Sequence, residues 1–189
     1  MDLARRLEQA RPAHTVRGLF LQSYLEQLRA LGGEELLKQG LALCEHTRPV
    51  ELFRYPVHTQ LQLLSLLMPH LVAQHGEAAA GLRALGHLCI NHFLSSYTGQ
   101  LLLRLGGRDP NRILNHVPLG YQLASGFGKH TLRWRGPRHC HWAMTNQYLP
   151  RAYHEGVFQG ILEHSDARAV RVAGHQTALL DSEYDISWD

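Results

Sequence analysis

Two histidines separated by one cysteine, in the stretch RHCHW at 138–142, are the residues whose spacing suggests chemistry most directly. Alternate residues of a β-strand point to the same face, so His139 and His141 would share one face while Cys140 and Trp142 point to the other. Two imidazoles side by side are the beginning of a divalent metal site. His139 and His141 are therefore the candidate metal ligands.

The segment before this pair, KHTLRWR, also alternates as a strand does, and the loop GPR predicts a tight hairpin between the two. A three-residue loop pairs Arg135 with His139. The same register sets Leu132 opposite Trp142, which joins apolar with apolar, whereas a two-residue loop would set apolar residues against the histidines.

Arginines then surround the histidine pair. In the favoured register Arg133 and Arg135 lie on the face of His139 and His141. Guanidinium groups repel a divalent cation and offer it no lone pair. An anion or an acidic partner suits this face better than a metal ion.

The other candidate groups of catalytic side chains do not point toward a common site. His87 and His92 are five residues apart on a predicted helix and do not share a face, and His154 and Glu155 are adjacent, so they point about 100° apart. The serines lack a G-x-S-x-G setting, and no phosphate-binding loop leads from a strand into a helix. The residues favour a protein that is not an enzyme.

Composition narrows the class of protein. The 189 residues are 44% hydrophobic and 19% charged, enough for one core, and the net charge of +3 is scattered rather than gathered into a nucleic-acid-binding stripe. The three cysteines are far apart, which is typical of reduced thiols in a cytoplasmic protein. The N-terminus lacks a signal peptide's apolar core, and the richest apolar run is interrupted by polar residues, so no membrane insertion is expected.

The first part of the chain has helical periodicity. We expect an N-terminal extension over 1–14 and a helical lobe over 15–118. Its first helix would be capped by Thr15 and stopped by the Gly32-Gly33 pair. Its third helix would cover 57–75, where Pro69 ends or kinks it.

The second part changes to a period of two. Residues 119–189 predict a sheet lobe of β-β-β-α-β-β order, whose strands are GYQLASGFG, KHTLRWR, HCHWAMTNQY, RAVRVAG and SEYDISWD, with a helix after Pro150. The fold class is therefore α+β, a helical N-terminal half packed on a mostly antiparallel C-terminal sheet. The two lobes would share one core as a single domain.

Four stretches carry a resemblance: TVRGLFLQSYLEQLRALGG, FRYPVHTQLQLLSLLMPHL, LRALGHLCINHFLSSYTGQLLLRLGG and the segment from YHEGVFQGILEHS to SEYDISW. Together they resemble a paralogous family of uncharacterised myxobacterial proteins. That family is distantly similar to the superfamily of 4-vinyl-reductase domains, haem nitric-oxide-binding domains and TRAPP vesicle-tethering subunits. The resemblance implies a ligand-binding or interaction module, in signalling, and implies no reaction.

The resemblance also gives His116 a role. In the haem-binding relatives a helix histidine leading toward the sheet lobe ligates iron, and LNHV occupies a similar place. Ligation of haem by one histidine is chemically simple. The tyrosine-serine-arginine signature that binds the haem propionates in those relatives has no match here. A histidine near a helix C-terminus also complements the helix dipole, which is the ordinary alternative.

Aromatic side chains gather near the expected junction of the two lobes, as in apolar ligand pockets. The candidate ligand-binding residues are Tyr97, His116, Tyr121, Trp134, Trp142 and Tyr153. A wide apolar arc on the first helix, including Phe20, Tyr24 and Leu28, predicts a homodimer.

The favoured function is a non-enzymatic module that holds an apolar small molecule or a protein partner at the lobe junction. One alternative is a haem-based sensor with His116 as axial ligand. The other is a small-molecule-tailoring enzyme or metalloprotein that uses the C-terminal histidines. The sequence leaves three possibilities for the cofactor: no cofactor, a haem or a divalent metal ion.

Overall fold

The structure, a computed structural model, describes residues 2–189. These residues form two compact units, one ending at Gly81 and the other spanning Leu82–Asp189. The helices are α1 (Leu3–Gln9), α2 (Gly18–Leu43), α3 (Val57–His75), α4 (Ala78–Ser95), α5 (Tyr97–Gly106), α6 (Pro110–Ala124) and α7 (Arg151–Glu163). The strands are β1 (Thr15–Arg17), β2 (Arg54–Pro56), β3 (Lys129–Gly136), β4 (His139–Thr145), β5 (Arg171–Ala178) and β6 (Asp181–Ser187). The predicted α+β class is confirmed. The division into lobes at residue 118 stays a prediction.

The first unit begins differently from the prediction. Thr15, expected to cap a helix, lies in β1 and pairs with Pro56 of β2 in a two-stranded antiparallel sheet. The helix starts at Gly18, where a Cβ atom would lie 2.1 Å from the carbonyl oxygen of Val50. Only glycine permits this approach, so the start of α2 is decided by a contact with a distant segment.

The remaining helices of this unit follow the periodicity closely. Gly33 interrupts α2 with a φ of 68°, as expected of the glycine pair that was predicted to stop the first helix. Helix α3 has the predicted bounds, but Pro69 does not end it, because the buried Leu67, Met68 and Leu71 hold both sides of the proline in the core. Helix α1 lies in the segment predicted as an extension. No helix in the described residues 2–189 has the combined length and apolar character needed to cross a membrane.

In the second unit, β3, β4, β6 and β5 form one antiparallel sheet in that order. The first of the three predicted strands is wrong, since GYQLA continues helix α6 to Ala124. We expected the helical lobe to end at Pro118, but helix α6 continues through this proline. One turn after it, Tyr121 is held in place by contacts with His130 and His154. The sheet lobe therefore has the order β-β-α-β-β.

The hairpin register agrees with the prediction except at its tip. Leu132 pairs with Trp142, as expected, but His139 pairs with Gly136 instead of Arg135 because a bulge follows Trp134. Cys140 and Trp142 are fully buried. Burial, with a smaller effect of Asp185, raises the pKa of the Cys140 thiol to about 12, which makes this cysteine an inert core residue.

Two glycines allow α4 and α7 to touch along their backbones. A Cβ atom on Gly86 would lie 1.9 Å from the carbonyl oxygen of Tyr153, and a Cβ atom on Gly156 would lie 1.9 Å from that of Arg83. These contacts fix the position of α7 against α4.

Candidate functional site

Helix α6 carries the candidate axial ligand. Asp109 caps the helix by accepting a hydrogen bond from the Asn111 backbone N–H at 2.8 Å, and Pro110 occupies the first turn. His116 lies well inside the helix and is half-buried. Within residues 2–189 its imidazole takes part in no hydrogen bond or ion pair. Its ring nitrogens are therefore available to a ligand.

Exposed apolar side chains lie on the helix that carries His116 and on the helix packed against it. Three residues further along the helix, Leu119 is 43% exposed, and a Cβ atom on Gly120 would meet only the Leu102 side chain, at 3.6 Å. On α5, which packs against α6 within the same unit, three large apolar side chains recur every four residues and remain exposed: Tyr97, Leu101 and Leu105. An exposed apolar stripe of this kind is typical of a surface that binds a ligand or another protein.

Tyr121 projects from α6 about 140° around the axis from His116. Its hydroxyl lies 2.8 Å from Nδ1 of His154 on α7, and its ring stacks on His130 with centroids 4.1 Å apart. Burial, reinforced by the nearby Tyr184, raises the pKa of Tyr121 well above its usual value. Tyr121 therefore stays protonated and works as a structural hydrogen-bonding group.

His130 on β3 completes this buried group. Desolvation lowers the pKa of its imidazole to about 4, so the ring is neutral near pH 7. Its Nε2 lies 3.0 Å from Nε2 of Gln147, and its ring meets the edge of Trp142 at 5.9 Å between centroids. His130 was missed in the sequence, although strand period places it on the same face as Leu132.

Glu155 and His154 serve different partners. The Glu155 carboxylate, 6% exposed, accepts from Arg83 at 2.8 Å, from the Gly174 backbone N–H at 3.1 Å, and from Arg151. His154 faces Tyr121 instead. The divergence expected of adjacent helix residues is present, and the two groups do not form an acid–base pair.

The six candidate ligand-binding residues separate into groups. Tyr121, Trp142 and Tyr153 surround His154 or its neighbours in the core. Tyr97 and His116 belong to the exposed surface of α5 and α6. Trp134 is 38% exposed, donates to Asn115 Oδ1 at 3.3 Å and meets Trp188 edge-on. Their role in ligand binding stays a prediction.

The histidine pair of β4 lies beside carboxylates that the sequence reasoning did not place. His139 Nε2 is 3.3 Å from Asp185, and His141 Nε2 is 3.5 Å from Glu183, because β6 lies directly next to β4. In the described part of the chain no three His, Cys, Asp or Glu side chains are arranged to hold a metal ion. The arrangement can form ion pairs when the histidines are protonated.

Solved structures share this architecture. An Fe(II) unliganded H-NOX protein from K. algicida superimposes with a TM-score of 0.70 at 15% identity, covering 92% of this chain and 96% of that one. An H-NOX protein from S. oneidensis in the Fe(II)NO state gives 0.69 at 12% identity, with 92% and 99% covered. The IWP-051-bound H-NOX from Shewanella woodyi in the Fe(II)CO state gives 0.67 at 15% identity, with 91% and 94% covered. The fold is H-NOX-like.

Sequence comparison gives the family. No curated protein matches the chain. Residues 9–189, nearly the whole chain, match the family described as "Protein of unknown function (DUF2378)". The chain belongs to this DUF2378 family and has an H-NOX-like fold.

Proposed function

We propose that this protein is a haem-based sensor domain in which His116 is the axial ligand of the iron. The observation that carries the proposal is the half-buried imidazole of His116, which has no partner among residues 2–189 and lies next to Leu119 and Gly120. The H-NOX-like fold supports it, because the similar structures include ferrous, NO-bound and CO-bound H-NOX proteins.

The residues present fit a haem in two respects and differ in a third. A neutral imidazole is a sufficient protein ligand for haem iron. Tyr97, Leu101 and Leu105 supply exposed apolar surface on the helix that packs against α6. The tyrosine-serine-arginine signature for the propionates is absent from β3. Iron ligation and apolar contact would therefore carry the binding.

Haem titration of the purified full chain under reducing conditions tests the proposal. We expect a Soret band that saturates at one haem per chain. His116→Ala should weaken the apparent affinity at least about tenfold and shift the band, since the iron loses its protein ligand. His92→Ala removes another half-buried helix histidine and should behave as wild type. A wild-type protein without a saturable band, or a His116→Ala protein identical to wild type, would reject the proposal.

A second candidate function is the non-enzymatic binding of an apolar small molecule or a protein partner. The exposed stripe of Tyr97, Leu101 and Leu105 favours it. Native mass spectrometry separates the two functions, because it reports a retained haem, another small molecule and the oligomeric state together. Homodimerisation, and the wider kinship with 4-vinyl reductases and TRAPP subunits, stay predictions.

A further inference from the structure

Strand β3 forms one edge of the four-stranded sheet. On one side it pairs with β4 along its length. On its other side no backbone group of Lys129–Gly136 bonds to any residue in the part of the chain that the structure describes. An open edge of eight residues is a row of donors and acceptors that can receive another extended chain.

This edge carries cations without acidic partners. Lys129 and Arg133 share one face of β3, Arg135 lies in the bulge after Trp134, Arg138 follows in the turn, and all four are exposed. Within residues 2–189 none of the four forms an ion pair. The acidic residues on this face, Glu183 and Asp185, belong to β6, two strands or about 10 Å away, and already lie beside histidines.

The opposite edge of the same sheet is different. On β5, Arg171 binds the Asp189 carboxylate at 2.7 Å. The Gln176 side chain donates to the backbone carbonyls of Ala178 and Asp181 at 2.6 and 2.9 Å, which closes the end of this strand. Of the two edges of this four-stranded sheet, as described within residues 2–189, β3 therefore combines an open backbone with uncompensated positive charge, and β5 does not.

We propose that β3 is a docking edge for an extended, acidic segment of a partner protein. The segment would add to the sheet as a further strand, with carboxylates on the face that carries Lys129 and Arg133 and near Arg135. Lys129 and Arg133 are about 13 Å apart along the strand, a spacing that carboxylates four residues apart in an added strand would match. On the other face of β3 the partly exposed Trp134 supplies apolar contact. This inference is independent of haem binding.

A peptide is a better occupant than a nucleic acid. The unpaired backbone of β3 alternates N–H and C=O groups, and a peptide supplies both complements, whereas a phosphate backbone supplies acceptors alone. Edge cations also discourage two copies of the chain from pairing through β3. The same charge that repels a second copy attracts an acidic strand.

Fluorescence anisotropy with the full chain tests the proposal. The probe is a labelled peptide of about ten residues in which glutamate alternates with threonine and valine, compared with the same peptide N-methylated at alternate backbone amides. We expect saturable binding of the unmodified peptide and a loss of about tenfold or more on N-methylation. Equal binding of both peptides, or no binding of either, overturns the strand-addition proposal.

A second experiment uses charge variants to test whether the β3 arginines contribute to peptide binding. Arg133→Gln with Arg135→Gln should weaken peptide binding about tenfold, while Lys38→Gln with Arg54→Gln, which removes the same charge from exposed residues of the first unit, should change it less than about twofold. Equal loss in both double variants overturns the proposal. So does a single-stranded oligonucleotide of equal charge that binds more tightly than the peptide.

Discussion

On one side of helix α6, the Tyr121 hydroxyl is hydrogen-bonded to His154 and the Tyr121 ring is stacked on His130. On another side, His116 has no partner among residues 2–189, Leu119 is exposed, and a Cβ atom on Gly120 would meet only Leu102. The helix thus has a committed face and an open face. We therefore expect the buried aromatic group to maintain the fold, and the open face to be where the proposed haem would find a free imidazole.

The largest expected effect is at the contact between α4 and α7, the helix that carries His154, the partner of Tyr121 on the committed face. Gly156→Ala would place a methyl group 1.9 Å from the Arg83 carbonyl oxygen, so α7 must move away from α4. We expect the free energy of unfolding to fall by at least about 3 kcal/mol. On the open face, Gly120→Ala meets only Leu102 and should be neutral or stabilising by up to about 1 kcal/mol. Urea denaturation of both variants measures the contrast, and equal effects would remove it.

Low pH should destabilise the folded chain through His130, which stacks on Tyr121. The pKa of His130 is about 4 in the folded chain against 6.5 for an unperturbed histidine, so between these values the unfolded chain binds the extra proton. The contribution of His130 to the free energy of unfolding is fully present above about pH 6.5. It is lost as the pH falls toward 4, and the loss is at most on the order of 3 kcal/mol. Denaturation at several pH values should show a shallower slope in His130→Phe. A wild-type slope in that variant would contradict the assignment.

A smaller effect is expected from the hydrogen bond between α6 and α7. Tyr121→Phe removes the hydroxyl that lies 2.8 Å from His154 Nδ1 and leaves that buried nitrogen without this partner. The free energy of unfolding should fall by about 1–2 kcal/mol. In a double-mutant cycle with His154→Phe the two losses should not add. Additive losses would mean that the bond contributes nothing of its own.

The smallest effect belongs to the open face. His116→Ala removes a side chain that bonds to nothing within residues 2–189, so the stability of the haem-free protein should change by no more than about 0.5 kcal/mol. Thermal or urea unfolding checks this directly. A loss comparable to that of Tyr121→Phe would show that His116 is a structural residue and would erase the distinction between the two faces.

Periodicity predicted most helices and the hairpin because those signals are local. Helix α3 and the Leu132–Trp142 register both depend on residues that are close in the chain. The failures depend on distant contacts. Thr15 pairs with Pro56, and no local pattern announces such a partner.

The candidate site divides in the same way. His116 could be named from the sequence because a resemblance supplied its role, while its open surroundings required the packing of α5 on α6. The carboxylates beside His139 and His141 were missed because strand order, which sets β6 next to β4, is not written in either strand. His130 was predictable in principle from its alternation with Leu132 and Trp134.

The most direct test of the central claim is the rescue of a His116→Gly protein by free imidazole. Haem-loaded, reduced protein is titrated with imidazole while the absorption spectrum is recorded, with wild type measured in parallel. If the open face presents His116 to the iron, the variant should start with a different spectrum and recover that of wild type as imidazole takes the vacated position. A variant whose spectrum equals that of wild type before imidazole is added, or never approaches it afterwards, would contradict the claim.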